Sequence, residues 1–65
     1  MTSEVMNVRE AATYLRLSKP TLDRFRLTGA GPRYAKLGNS VRYRQTDLQD
    51  WIEERLVRST SQGSA

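Results

Sequence analysis

The sequence predicts a mainly α-helical domain with one small β-hairpin. Three observations predict it: two short amphipathic segments separated by Ser18-Lys19-Pro20, two alternating segments flanking Gly38-Asn39-Ser40, and a last apolar stripe reaching Leu56. With 65 residues there is room for one domain only, and a domain of that size buries about 60% of the surface its unfolded chain exposes. There is no cysteine and no histidine. Disulfides, thiolate chemistry and the usual structural zinc ligands are therefore excluded, and neither a metal nor a cofactor is expected. The N-terminal MTSEVMNV lacks a basic region followed by an apolar stretch, and no apolar run approaches the ~18 residues that cross a bilayer. The chain reads as soluble and cytoplasmic, with no membrane partner.

Residues 1–6 show no periodicity and are expected to form a loose arm; residues 59–65, STSQGSA, have the composition of a disordered tail. The domain is expected over 7–58. Asn7-Val8-Arg9-Glu10 fits a capping box, in which the asparagine caps a backbone N–H and the glutamate reaches back. From there Val8, Ala11, Ala12 and Leu15 recur at helical spacing, and the two alanines allow a second helix to approach closely. Ser18-Lys19-Pro20-Thr21 starts the next helix, with a serine cap and a proline in the first turn, where its missing N–H costs nothing. This helix is expected to run from Lys19 to about Thr28, ended by Gly29, Gly31 and Pro32, with Leu22 and Phe25 on its buried edge.

Tyr34–Leu37 and Val41–Tyr43 form the hairpin, read with a three-residue loop of Gly38, Asn39 and Ser40. That loop makes Lys36 and Arg42 outward cross-strand neighbours and puts Ala35, Leu37, Val41 and Tyr43 on the inner face. Leu48, Trp51, Ile52 and Leu56 then define a third helix from about Gln45 to Arg58. Asp47 lies in its first turn and Arg55 and Arg58 in its last, as the helix dipole favours. Trp51 belongs to the apolar stripe and reads as core; Tyr14 and Tyr34 read as half-buried rim residues. No internal repeat is present.

The charge is segregated. Between Arg16 and Arg44 stand eight basic residues and one acid, Asp23, whereas the rest of the chain carries three basic and six acidic residues. Such clustering points to a polyanion facing the middle of the chain. Two short helices joined by a tight turn and followed by a basic hairpin and a closing helix are the parts of a winged helix-turn-helix, whose partner is double-stranded DNA. The second helix is the natural reader. Its free N–H groups and positive dipole end suit a phosphate, and Ser18, Lys19, Pro20, Thr21 and Arg24 stand where phosphates or base edges would be met. Arg24 is the candidate for two hydrogen bonds to guanine, with a phosphate contact or an ion pair near Asp23 as its other readings. Arg16, Lys36, Asn39, Ser40, Arg42 and Arg44 are the candidates on the wing and its flanks, a solvated hairpin face being the alternative.

The string NVREAATYLRLSKPTL, followed by TGAGPRYAKLG and VRYRQTDLQDWI, resembles the excisionase and AlpA-like helix-turn-helix proteins of phages and integrative elements, distant relatives of MerR-type DNA-binding domains. The resemblance covers about residues 6 to 58. It implies a minimal bacterial DNA-binding protein, a recombination directionality factor or a transcriptional regulator, with Lys19, Pro20, Thr21 and Arg24 facing the major groove and the hairpin of Lys36 and Arg42 as wing. The chain departs from the pattern in two places. Its wing tip is Asn39-Ser40 where arginines are frequent, and Arg26 stands at a commonly aliphatic position, so its stem is expected to pack and its guanidinium to reach solvent. The long dimerisation helix and effector domain of MerR regulators are not in the sequence, so no small-molecule effector is expected.

One module of this size buries about 600–1,000 Å² on DNA and makes few base contacts. Cooperative self-association on repeated sites is therefore expected, with a tyrosine-type integrase as a further partner. No catalytic residue stands out: without histidine or cysteine there is no evident acid–base pair, and capping explains Ser18 beside Lys19. A protein-binding antagonist using Glu53, Glu54 and Arg55 of the third helix is the reading from another class. RNA binding lacks an exposed aromatic sheet.

Overall fold

The computed structural model describes residues 4–57. Its elements run β1 (Val5–Met6), α1 (Val8–Leu15), α2 (Lys19–Thr28), β2 (Ala35–Leu37), β3 (Ser40–Arg44) and α3 (Gln45–Glu54). This is a winged helix-turn-helix, mainly α with a small three-stranded antiparallel sheet in the order β1-β3-β2.

Local chemistry starts both helices of the helix-turn-helix where the residues predict. The Asn7 side chain accepts from the Glu10 N–H at 2.8 Å, and Glu10 Oε1 accepts from the Asn7 N–H at 2.9 Å, closing the capping box. Ser18 caps α2 by accepting from the Thr21 N–H at 3.3 Å. Between them, Arg16 adopts left-handed backbone at φ 58°. The Leu17 N–H donates to the Ala12 carbonyl at 2.8 Å and the Arg16 N–H to the Thr13 carbonyl at 3.0 Å. These two bonds form a Schellman motif, whose left-handed position is usually glycine.

The core is small and shared. Met6, Ala11, Ala12, Leu22, Tyr43 and Leu48 are buried, with Val8, Leu15 and Val41 packed around them. The fully buried Ala11 and nearly buried Ala12 let α1 lie against α2, β3 and α3 at once. No helix among the described residues is long and apolar enough to cross a membrane.

Four features differ from the sequence reading. Val5 and Met6 are not part of a loose arm: they pair with Arg44 and Tyr43, and the Glu4 carbonyl accepts from the Gln45 N–H at 2.8 Å, so the segment fastens the start of α3. Two residues are too few to show alternation. The hairpin loop holds two residues, not three, because Ser40 pairs with Leu37. Gly38, at φ 65°, takes the first central position of the turn, where a two-residue hairpin of the II′ kind requires positive φ. The register then pairs Lys36 with Val41 and Ala35 with Arg42. Residues directly opposite share a face, so Lys36 joins Val41 and Tyr43 on the inner side, and Ala35 and Leu37 join Arg42 outside. Finally, α3 ends at Glu54, leaving Leu56 67% exposed, whereas the apolar stripe had predicted helix to Arg58. The Arg55 guanidinium turns back onto the Trp51 and Ala30 carbonyls, at 3.3 and 3.2 Å. Arg58 and the predicted tail, 59–65, lie outside the described residues.

Candidate nucleic-acid interface

Helix α2 presents two contrasting sides. Leu22 is fully buried, with Phe25 and Arg26 half-buried beside it, while Lys19, Pro20, Arg24, Leu27 and Thr28 are exposed. Phe25 is held by Trp51 of α3, ring centroids 5.7 Å apart, and the Trp51 indole donates to the Ala30 carbonyl at 3.0 Å. The loop after α2 is tucked as tightly. A Cβ added at Gly31 would come within 2.9 Å of the Phe25 Cβ, so only glycine lets the chain pass there. Trp51 is thus half-buried between α2 and α3 and not at the centre of the core.

Charge on α2 is ordered by its one acid. Asp23 accepts from Lys19 Nζ at 2.8 Å and from Arg26 Nη2 at 2.9 Å. These bonds, Lys19 first and Arg26 second, hold its carboxyl below the ordinary range. Arg26 does not send its guanidinium out to solvent as the sequence suggests. It also donates to the Tyr43 hydroxyl at 3.3 Å and lies 5.9 Å from the centre of the Tyr34 ring. Arg26 therefore buttons α2 to β3.

Arg24 takes no part in that network. Among the described residues it has neither a hydrogen-bond nor an ion-pair partner, so its five donors are available to a ligand. Of its three readings, the ion pair near Asp23 is the one the structure removes, since Lys19 and Arg26 hold that carboxylate. An exposed i,i+4 pair contributes only about 0.3–0.5 kcal/mol. Lys19 can leave Asp23 for a phosphate while Arg26 keeps the carboxylate paired.

Helix beginnings supply a further sign. Both α1 and α3 carry an acid in the first turn, Glu10 and Asp47, which the helix dipole favours; α2 carries none and begins with Lys19. A helix that breaks the rule its neighbours keep has its positive end left open for an anion from outside. Ser18 and Thr21 stand at this end, bonded to one another, Ser18 Oγ donating to Thr21 Oγ1 at 2.8 Å. That leaves the Thr21 hydroxyl hydrogen free to donate.

On the hairpin the expected cations separate. Lys36, itself exposed, projects from the same face as Tyr43, whose hydroxyl accepts from Arg26 of α2, and Arg42 projects from the other face, where its guanidinium donates to the Val41 carbonyl at 2.9 Å. Arg44 shares the Arg42 face and is engaged with Asp47, Nε and Nη2 each donating to one carboxylate oxygen at 2.8 and 3.1 Å. These bonds hold the buried Asp47 carboxyl below the ordinary range against the opposing effect of burial. Ser40 lies on the Arg42 face and Asn39 in the turn. Arg16 is exposed at the helix junction.

The two tyrosines named as rim residues have defined partners. Tyr14 accepts from Gln49 Nε2 at 3.1 Å, and Tyr34 packs on Tyr43 at 6.0 Å between centroids. Sequence reasoning missed Arg26 as an organiser and gave no place to Leu27. For Arg26 the signal was a cation on the apolar side of the helical wheel, in register with Asp23 one turn earlier.

Among the described residues no group of acids, histidines or cysteines is placed to hold a metal. A search of curated proteins returns no match. The family model of the helix-turn-helix domain matches residues 5–56, from the first strand to just past the last helix. It spans the Schellman turn, the open-ended second helix and the wing together, and by that match this chain belongs to the helix-turn-helix domain family.

Proposed function

We propose that this chain binds specific double-stranded DNA sequences and serves as an excisionase, a recombination directionality factor of a phage or integrative element. The observation that carries DNA binding is α2 itself: the one helix without an acid in its first turn also presents an arginine with no partner among the described residues. In this reading Lys19, the α2 N–H groups and the Thr21 hydroxyl take phosphates, and Arg24 reaches a guanine edge. Lys36 continues the cationic surface on the face of the wing that carries Val41 and Tyr43; Arg16, Asn39, Ser40 and Arg42 serve as outlying backbone contacts. Arg44 divides its guanidinium between Asp47 and a phosphate.

The excision role rests on the resemblance to excisionase and AlpA-like proteins together with the size of the module. A single domain gives few base contacts, so several copies occupy repeated sites cooperatively. An array of bound copies bends or stiffens DNA and brings integrase sites together without chemistry of its own. The protein works in a bacterial cell on the nucleoid and needs neither a cofactor nor an effector. The test has two stages. Titration on a duplex should give a log K that falls with log salt at a slope of about −4 to −5, for about four to six phosphates per copy. Excision of an element by its integrase should then depend on this protein; DNA binding and promoter control without any effect on excision would assign it as a transcriptional regulator instead. Occupancy of repeats without cooperativity would remove the array.

A further inference from the structure

We propose that Leu27 is a specificity residue that reads the 5-methyl group of a thymine in the major groove. The inference rests on the DNA-binding reading above and adds the chemical group recognised. Leu27 is 87% exposed, the most open of the large apolar side chains among the described residues. A single exposed leucine is ordinary; its location is not. On α2 it follows Arg24 by three residues and Pro20 by seven, so the three side chains share the outward face, opposite the buried Leu22.

Three further observations favour a base over solvent or a second protein. Helical side chains lean toward the N-terminus, so Leu27 covers the turn that carries Asp23 and Arg24 and stands beside the free guanidinium. The chain beyond Thr28 continues as Gly29-Ala30-Gly31, small residues that hold nothing bulky between the end of α2 and a groove wall. Space is open around Gly29, where an added Cβ would meet no atom within 4 Å. The distance also fits. Seven residues of helix rise about 10 Å, roughly three base-pair steps, so Leu27 meets bases beyond those reached from the α2 N-terminus. The major groove exposes one apolar group that distinguishes a base, the thymine methyl, and an aliphatic side chain is its complement.

The test starts from a preferred duplex obtained by selection from a randomised pool with the full chain. Each thymine of that duplex is then replaced by deoxyuridine, which removes one methyl and keeps every hydrogen-bonding group. Binding is measured for the wild type and for Leu27→Ala, which removes an exposed side chain and leaves the buried core untouched. At one position the wild type should lose about fourfold in affinity, the size expected for one buried methyl-sized group, and Leu27→Ala should lose nothing there. Repeating the selection with Leu27→Ala should relax that position from thymine to either pyrimidine. If uracil affects both proteins alike at every position, the assignment of Leu27 is overturned while DNA binding stands. Leu27→Ala changing only cooperativity between copies would place the leucine at a protein contact, and would also overturn it. A wild type that selects no sequence would defeat the underlying DNA-binding reading instead.

Discussion

Helix α2 and the β2–β3 wing contain similar numbers of polar and basic residues, yet they are held in different ways. In α2 each side chain's direction follows from its own position on the helix, and a network of Asp23, Lys19 and Arg26 orders the charge locally. In the wing, direction depends on a partner strand. One residue more or less in the turn would reverse which faces of β2 and β3 coincide. The helix thus presents its ligands by periodicity, the wing by parity, and the second is far more sensitive to a local change.

The largest way to break this contrast is at the residue that joins the two regions. Tyr43 is 1% exposed and its hydroxyl accepts from Arg26. Tyr43→Ala should cost about 3–5 kcal/mol, comparable to the whole stability of a domain this small, and should erase the thermal transition measured by circular dichroism. Arg24→Ala is the counterpart on the open side. It should leave the melting temperature unchanged and weaken DNA binding by about 1–3 kcal/mol, at one base position if it reads guanine and uniformly if it meets a phosphate.

Lys36 and Arg42 sharpen the comparison within the wing. Because they leave opposite faces, Lys36→Ala should reduce the salt slope of DNA binding by about one while Arg42→Ala changes it less; equal effects would mean that both faces of the wing meet DNA. Arg16→Gly separates fold from function in a single substitution. The left-handed backbone at φ 58° costs an arginine about 1–2 kcal/mol. After the added freedom of glycine in the unfolded chain, a net gain of about 0.5–1 kcal/mol should remain. The variant should melt several degrees higher and bind DNA less tightly.

Acid gives the smallest effect. The Asp47 carboxyl is held low by Arg44, so its stabilising contribution is complete above the ordinary carboxylate pKa of about 3.9 and is lost as pH falls through the depressed folded value. Melting temperatures should therefore decline below about pH 4, and Asp47→Asn should flatten the decline. Parallel curves would show that the Arg44–Asp47 pair does not secure the start of α3.

The same contrast explains what could be read from the residues. Both capping arrangements, the bounds of α2 and the burial of Leu22 follow from signals within a few positions of each other. The freedom of Arg24 was half legible: its place on the open side could be read, but Asp23 is taken by Lys19 and by Arg26, the second of which periodicity marks as inward. The hairpin was legible as an element and misread in register. Gly38-Asn39 is itself a two-residue turn signal, but Ser40 fits a loop as well as a strand end, and only pairing with Leu37 decides. β1 was hidden because its two residues acquire meaning only beside Tyr43 and Arg44. The early end of α3 coincides with Arg55 reaching a carbonyl twenty-five residues upstream, a contact that no local pattern encodes.

That carbonyl has a consequence of its own. Ala30 accepts from the Trp51 indole and from Arg55, and the Arg55 guanidinium lies 4.5 Å above the Trp51 ring. The chain has one tryptophan, and it sits on the clasp between the end of α2 and α3. Its emission is therefore a built-in optical gauge of that clasp: a tilt of the second helix on engaging a duplex would alter the indole's surroundings and be visible without any attached label.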